Sequence, residues 1–293
     1  MPGVSFQALL SASSAAASVS PPLDSVGSAT GAWGTRKLRT AYAGNCIKVR
    51  RSSDSTTQDI GFSGGNLDTS ALTSFVGAGD GFIDTWYDQS GNSRNLTQAT
   101  TGSQPKIVSS GAVITTINSK PSPLFDASND YMTSGVAISN FITGSAYTLI
   151  SASRVISGVT GANSYYNRHT FADTLGYFEG ISFNATHYNP NHYSGAYVGP
   201  TISVSYTVTN VFVHKYDGTD VIGYVGGGSG SSSAGGSVGS TAGTGYMGFG
   251  ASAYFDGNIP ELIIYNTAVS KTDLNTLGAN LASYYGTSWT SIP

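Results

Sequence analysis

The strongest constraint on what this chain can fold into is a two-residue rhythm. In residues 202–209, Ile202, Val204, Tyr206 and Val208 share one parity, while Ser203, Ser205, Thr207 and Thr209 share the other. Successive strand side chains point to opposite faces, so this pattern predicts a half-buried strand and not a helix. Val211 to Tyr216 and Val221 to Val225 flank Asp217-Gly218, a turn pair, which predicts a hairpin. Further short β-rich runs fall at 47–50, 82–87, 147–152, 246–249 and 261–265, separated by Gly, Ser, Asn and Asp. Many short strands punctuated by turn residues predict an all-β sandwich.

Helical periodicity is confined to three places. Leu38, Ala41 and Tyr42 before Gly44 predict a turn or two, and Leu72, Phe75 and Val76 lie between a candidate cap at Asp68 and a stop at Gly77. The clearest is carboxy-terminal, where Ser270 and Asp273 make a capping box, Leu274, Leu277 and Leu281 form a stripe, and Gly286 ends it. Residues 226–245 carry no charge and one large apolar residue, Val238, which predicts a flexible loop between two strands.

The division expected is an arm over residues 1–30 and one sandwich domain over residues 31–293. Phe6 to Leu10 is apolar, but Pro2 and Gly3 stand where a secretory signal carries Lys or Arg. The segment therefore reads as an attachment arm, with Phe6, Leu9 and Leu10 packing on a larger body and Pro21 and Pro22 stiffening the junction. One cysteine, Cys46, excludes an intrachain disulfide and multi-thiolate zinc, and reads as a buried small hydrophobe. Charged residues are 10% against the usual ~25%, and the net charge is −3, so no nucleic-acid partner is expected. Arg36, Lys37, Arg39, Lys48, Arg50 and Arg51 cluster, but they read as a solvated strand face or as ion-pair partners of Asp54 or Asp59. No run approaches the ~18 apolar residues of a membrane span.

The stretch from Arg36 to Arg39 through Asn45 to Asp54, Asp59 to Phe62 and Trp86 to Asn92, with Leu96-Thr97-Gln98, resembles a block of bacteriophage and prophage virion proteins. More distantly it resembles the catalytic domain of fungal α-L-arabinofuranosidases. Pro123 to Met132 and Phe255 to Asn266 are similar to the laminin G-like, concanavalin A-like lectin pattern. The resemblance covers roughly residues 30–290 and implies a concanavalin A-like jelly-roll sandwich of two antiparallel sheets with short peripheral helices. Lectins, hydrolases and structural modules share that fold.

For the hydrolase reading, the resemblance puts the nucleophile at Glu179, in Tyr177-Phe178-Glu179-Gly180-Ile181-Ser182-Phe183. A retaining enzyme needs a second carboxyl group about 5–5.5 Å away. The family's acid/base Asp lies toward the end of its domain, yet no Asp or Glu occurs between Asp220 and Asp256, and Glu261 resembles a framework position. That gap makes Glu179 the minority candidate. The densest aromatic and amide cluster is Tyr165, Tyr166, Asn167, Arg168 and His169, then His187, Tyr188, Asn189, Asn191, His192, Tyr193 and Tyr197. Flat rings with amides and imidazoles suit a glycan site or a wet subunit interface. His187 and His192, five apart, fall on opposite strand faces, so no metal site is expected from them. Asp84 with Asp88, and Asp126 with Asn129 and Asp130, offer oxygens to calcium, but the preferred reading is that they pin turns. No cofactor is expected.

The leading expectation is a non-enzymatic structural component of a bacteriophage virion, as a tail, fibre or capsid decoration protein. It would be fastened to other virion proteins by its arm, oligomeric with a trimer among the candidate symmetries, and displayed toward host-surface glycans. The alternatives are an arabinofuranosidase-type glycoside hydrolase and a stand-alone carbohydrate-binding module.

Overall fold

The computed structural model describes residues 19–115, 117–157, 168–175, 178–183, 187–250 and 253–293. The arm residues Phe6, Leu9 and Leu10 lie outside the described residues, as do Tyr165, Tyr166 and Asn167 and the side chains of Arg168, His169 and Glu179. The strands that position the site are Gly31–Gly34 (β1), Ile47–Arg51 (β2), Gly81–Trp86 (β3), Leu124–Asp126 (β4), Met132–Ala137 (β5), Tyr147–Val155 (β6), Phe171–Asp173 (β7) and Phe178–Phe183 (β8). They continue with His187–Tyr193 (β9), Thr209–Tyr216 (β10), Asp220–Val225 (β11), Thr244–Met247 (β12), Phe249–Gly250 (β13), Ala253–Tyr254 (β14) and Asp256–Tyr265 (β15). The helices are Thr69–Val76 (α1) and Lys271–Tyr285 (α2).

β15 is the spine. β1 and β4 pair along one edge of it and β6 along the other, followed by β10 and β11, all antiparallel. Alternation along β15 sends Leu262 and Ile264 into the core between the layers, with Trp33, Trp86, Phe125, Leu149 and Phe212. Ile263 and Tyr265 face the other way, into a second cluster with Ile150, Val211, Val213 and the α2 residues Leu274, Leu277, Leu281 and Tyr285. β6, β10 and β15 are thus buried on both faces, each large aliphatic side chain contributing ~1.5–3 kcal/mol of burial. The opposing layer carries β2, β3, β5, β12 and β7, together with a separate sheet in which β8 pairs β9. That sheet closes over β6 and β10 through Phe178 on Tyr147, at 5.1 Å between ring centroids, and Phe183 on Phe212, at 4.8 Å. The all-β sandwich of two antiparallel sheets with short peripheral helices is therefore the fold that forms.

Both capped helices form as read. The Asp68 side chain accepts from Ala71 N, and the Ser270 side chain accepts from Asp273 N, with left-handed Gly286 ending α2. The hairpin at Asp217-Gly218 forms, with Tyr216 opposite Val221 and Asp217 Oδ1 accepting from Thr219 N and Asp220 N. After Leu38 only a single turn forms, closed by Tyr42 N donating to Arg39 O at 3.1 Å, and no helix follows it. Two expectations need correction. Of residues 202–209, only Ile202–Ser203 pair as a strand before β10 begins. Left-handed Thr207 donates its N–H to Val155 O, which bends the chain out of register and leaves Val208 exposed. Residues 226–245 are more than a loop: Ser231–Ala234 pairs β11, and Val238 is buried in the main core.

Candidate functional site

Glu261 is a framework residue. It is fully buried on β15, and Arg36 donates to both its oxygens, from Nε at 2.7 Å and Nη2 at 3.0 Å, while Tyr285 Oη donates at 2.9 Å. The other glutamate of the sequence, Glu179, lies on β8. There Phe178 is opposite His192 and Gly180 opposite Asn191, so Glu179 has no register partner and the strand bulges at it. A bulge re-aims a side chain that the two-residue alternation would otherwise dictate, and bulges concentrate beside active sites. The backbone around it is pinned by other elements. Asp173 Oδ1 on β7 accepts from Phe178 N at 3.1 Å, His214 Nδ1 on β10 donates to Gly180 O at 2.8 Å, and Thr170 N donates to Ile181 O at 2.9 Å. Gly180 has φ +51°, and a Cβ there would stand 2.2 Å from Phe171 O, so no other residue fits.

Among the described residues, most of the aromatic and amide cluster read from the sequence is buried. Tyr188 is buried, donating to Val213 O at 2.8 Å and packing on Phe183 and Phe212. His192 is buried, with Nε2 donating to Gly236 O at 2.5 Å. Asn189 and Asn191 are buried too, accepting from the hydroxyls of Thr201 and Ser182. The cause is topological: β9 lies between β8 and two short strands, Tyr197–Val198 and Ile202–Ser203, so most of its side chains serve the core. His187 and Tyr193 remain half-exposed, with Tyr193 edge-on to Tyr197 at 5.4 Å.

Among the described residues, a half-exposed ring cluster lies elsewhere. Tyr131, Tyr246, Phe249 and Tyr254 meet with centroids 4.8 to 6.3 Å apart. β12 and the β13–β14 hairpin bring three of them together, and the strand Arg168–His169 runs against that hairpin. Rings of this kind offer flat faces to the C–H faces of a sugar. Beside them sits Asp130, buried, with Oδ2 accepting from Asp126 N at 3.2 Å. Burial and then the neighbouring Asp126 charge push its carboxyl up to about 7, so it holds a proton for much of the time near neutrality. Sequence reading placed Tyr131 in a motif but missed Tyr246, Phe249 and Tyr254, whose signal was aromatic residues spaced by Gly248 and Gly250.

Of the aspartates considered for calcium, Asp84 lies on β3 and accepts from the Thr85 hydroxyl, while Asp88 and Asp126 bond to turn backbones. Asp126 Oδ1 accepts from Ser128 N and Asn129 N, and Asp88 accepts from Ala32 N, Ser90 N, Ser90 Oγ and Arg94 N. Among the described residues no group of three or more His, Cys, Asp or Glu is arranged to hold a metal ion. Arg51 pairs with Asp54 at the surface, Arg36 turns inward, and burial pushes the Cys46 thiol well up. No described helix is long and apolar enough to cross a membrane.

Residues 27–127 match the family model of the α-L-arabinofuranosidase B catalytic domain. A search of curated proteins gave no match. A GH54 α-L-arabinofuranosidase soaked with a cyclic sulfate inhibitor superposes with a TM-score of 0.62 at 20% identity, over 91% of this chain and 66% of that one. A glutamate-to-glutamine mutant of a GH54 α-L-arabinofuranosidase, soaked with 4-nitrophenyl α-L-arabinofuranoside, gives 0.61 at 18%, covering 91% and 66%. An arabinofuranosidase complexed with arabinofuranosyl-α-1,2-xylobiose gives 0.61 at 19%, covering 91% and 65%. The chain spans just under two thirds of the length of these proteins. At such identities the likeness shows a shared fold.

These findings overturn the expectation of a non-enzymatic bacteriophage tail, fibre or capsid decoration protein. The block from Arg36 to Gln98 that suggested a virion part lies inside the stretch matched by the catalytic-domain family. Its residues hold the fold: Arg36 clamps β15, Trp86 is in the core, and Asp88 and Gln89 bond to the backbone of β1 and of Arg36. Such residues mark a scaffold and carry no information on a virion.

Proposed function

We propose that this chain is a glycoside hydrolase of the α-L-arabinofuranosidase type, acting on terminal α-L-arabinofuranosyl groups. The observation that carries the reading is the match of residues 27–127 to the catalytic-domain family. Glu179 is the proposed attacking carboxylate. Its bulge frees it from strand alternation, and its backbone is held from β7 and β10. A glycosidase also needs a carboxyl group that is protonated near neutral pH to give its proton to the leaving oxygen. Asp130 has that property and adjoins the ring cluster, which would seat the sugar or its aglycone.

The test is release of 4-nitrophenolate from 4-nitrophenyl α-L-arabinofuranoside by the intact chain. Glu179→Gln is expected to abolish it, and Asp130→Asn to lower kcat by ~10²–10⁴, the usual worth of a general acid. A wild-type rate equal to buffer, or an unchanged rate in Glu179→Gln, would refute the reading. The ring cluster supports a second one, a sugar-binding module without turnover, in which Tyr246→Ala abolishes arabinoxylan-oligosaccharide binding in calorimetry.

A further inference from the structure

Four contacts, three of them fully buried, run in line between two backbone carbonyls. His192 Nε2 is 2.5 Å from Gly236 O, and His192 Nδ1 is 2.6 Å from Tyr147 Oη. Tyr147 Oη is 3.0 Å from His214 Nε2, and His214 Nδ1 is 2.8 Å from Gly180 O. The three side chains come from β6, β9 and β10, and each is 0% exposed.

Counting hydrogens shows what the line must do. A carbonyl only accepts, so the ring nitrogens facing Gly236 and Gly180 both carry hydrogen. In neutral imidazoles the remaining two nitrogens are then bare, and both face one hydroxyl with a single hydrogen to give. Three hydrogens serve four contacts. The shorter contact assigns the hydroxyl hydrogen to His192, which leaves Tyr147 and His214 meeting lone pair to lone pair. A fourth proton, on His214 Nε2, would complete the line at the cost of a buried cation.

The surroundings decide which state holds near neutrality. Burial, and then the nearby His192, push His214 down to about 3, and burial lowers His192 as well. Tyr216 on β10 stands edge-on to His192 at 4.9 Å, Tyr188 on β9 is the other phenol near Tyr147, and Phe178 on β8 stacks on His214 at 5.9 Å. Glu179 follows Phe178 on β8. Among the described residues no carboxylate or cation hydrogen-bonds to either imidazole. The three-hydrogen state is therefore the neutral-pH state.

We propose that Tyr147 and His214 are positioning residues for the bulge in β8: the His214 Nδ1–H holds the Gly180 carbonyl, that carbonyl fixes which nitrogen of His214 carries the hydrogen, and Tyr147, edge-on to the imidazole at 5.0 Å, seats the ring that makes the hold. The hold on the Gly180 carbonyl stands on the contact itself. Only its catalytic consequence rests on the hydrolase reading, with kcat falling and KM retained when the hold is lost.

The experiment takes the intact chain and its Tyr147→Phe and His214→Phe variants. Imidazole ¹⁵N spectra at pH 7 are expected to show two neutral rings of opposite tautomer, Nε2–H for His192 and Nδ1–H for His214. Hydrogen exchange of the amides at 179–181 is expected to speed at least tenfold in His214→Phe and less in Tyr147→Phe, with α2 amides unchanged. An Nε2–H tautomer or a charged ring at His214, or unchanged exchange at 179–181, would overturn the proposal, whether or not the chain hydrolyses arabinosides. If it does, kcat in His214→Phe falls at least tenfold with KM within twofold. A proportional change in both would remove the positioning role, whereas absent turnover in the wild type would count against the hydrolase reading only.

Discussion

Replacing Glu261 by Gln tests what the buried ion pair does for the fold. Arg36 is 2% exposed and Glu261 0%, and the pair is bidentate. Asn280 Oδ1 accepts from Arg36 Nη2 at 2.8 Å, and the Tyr284 ring lies 4.3 Å from the guanidinium carbon. Burial works against the guanidinium charge, and Glu261 more than offsets it, so the Arg36 pKa rises. Glu261→Gln keeps shape and one hydrogen bond but strands that charge, which costs ~3–5 kcal/mol where a partner of a buried pair is lost. At ~2–4 °C per kcal/mol for a domain of this class, the melting temperature should fall by about 10 °C. The surface pair Arg51–Asp54, 33% and 45% exposed, is the control, and Asp54→Asn should leave the urea midpoint close to that of the wild type. The assay is urea unfolding of both variants and of the double variant Arg36→Met with Glu261→Leu, which removes both charges and should recover at least half the loss. A Glu261→Gln cost under ~1 kcal/mol, or a double variant as damaged as the sum of its parts, would refute the argument that an unpaired buried charge is what hurts.

Burial decides two further outcomes. Tyr188→Ala should destabilise the chain by ~3–5 kcal/mol through the cavity it leaves, seen as a lower urea midpoint; near-wild-type stability with lost glycan binding would instead make it a ligand contact. Asp130 has a carboxyl raised to about 7 in the folded state against ~3.9 unfolded, so the folded state binds the extra proton, and its contribution is full below pH ~3.9 and lost as pH rises through about 7. Asp130→Asn should therefore gain on the wild type between pH 5 and 8, by no more than ~4 kcal/mol at 1.36 kcal/mol per unit, and a stability difference flat across that range would rule the shift out.

What could be read from sequence was what local rules decide. The capping box at Ser270 and the turn at Asp217-Gly218 need only neighbouring residues, and both formed. The stripe Leu274, Leu277, Leu281 found its partner in Ile263 and Val213, on strands that bury apolar side chains on both faces. What failed was decided at long range. Residues 202–209 alternate as a strand should, and burial follows that alternation as far as Tyr206, but the partner strand does not run beside them. Tyr188 and His192 have the composition of a binding surface, and only the pairing of β9 on both edges shows that they point into the core. Val238 sat in a glycine and serine tract too poor to suggest a core residue, yet its N–H reaches Gly144 O and its side chain fills the main cluster.

The same distinction bears on Glu179. Alternation along β8 assigns every residue a face except where the register slips, and it slips at this glutamate. Sequence patterning is most informative where each level of structure agrees, and it is expected to fail at functional positions, where one rule is broken and the surroundings compensate. Here the compensation is visible: Gly180 takes a left-handed conformation, Asp173 caps the N–H before the bulge, and His214 takes the carbonyl after it. Those partners lie on two different strands, one of them paired with β6 and packed on α2, so the bulge cannot relax without disturbing both layers.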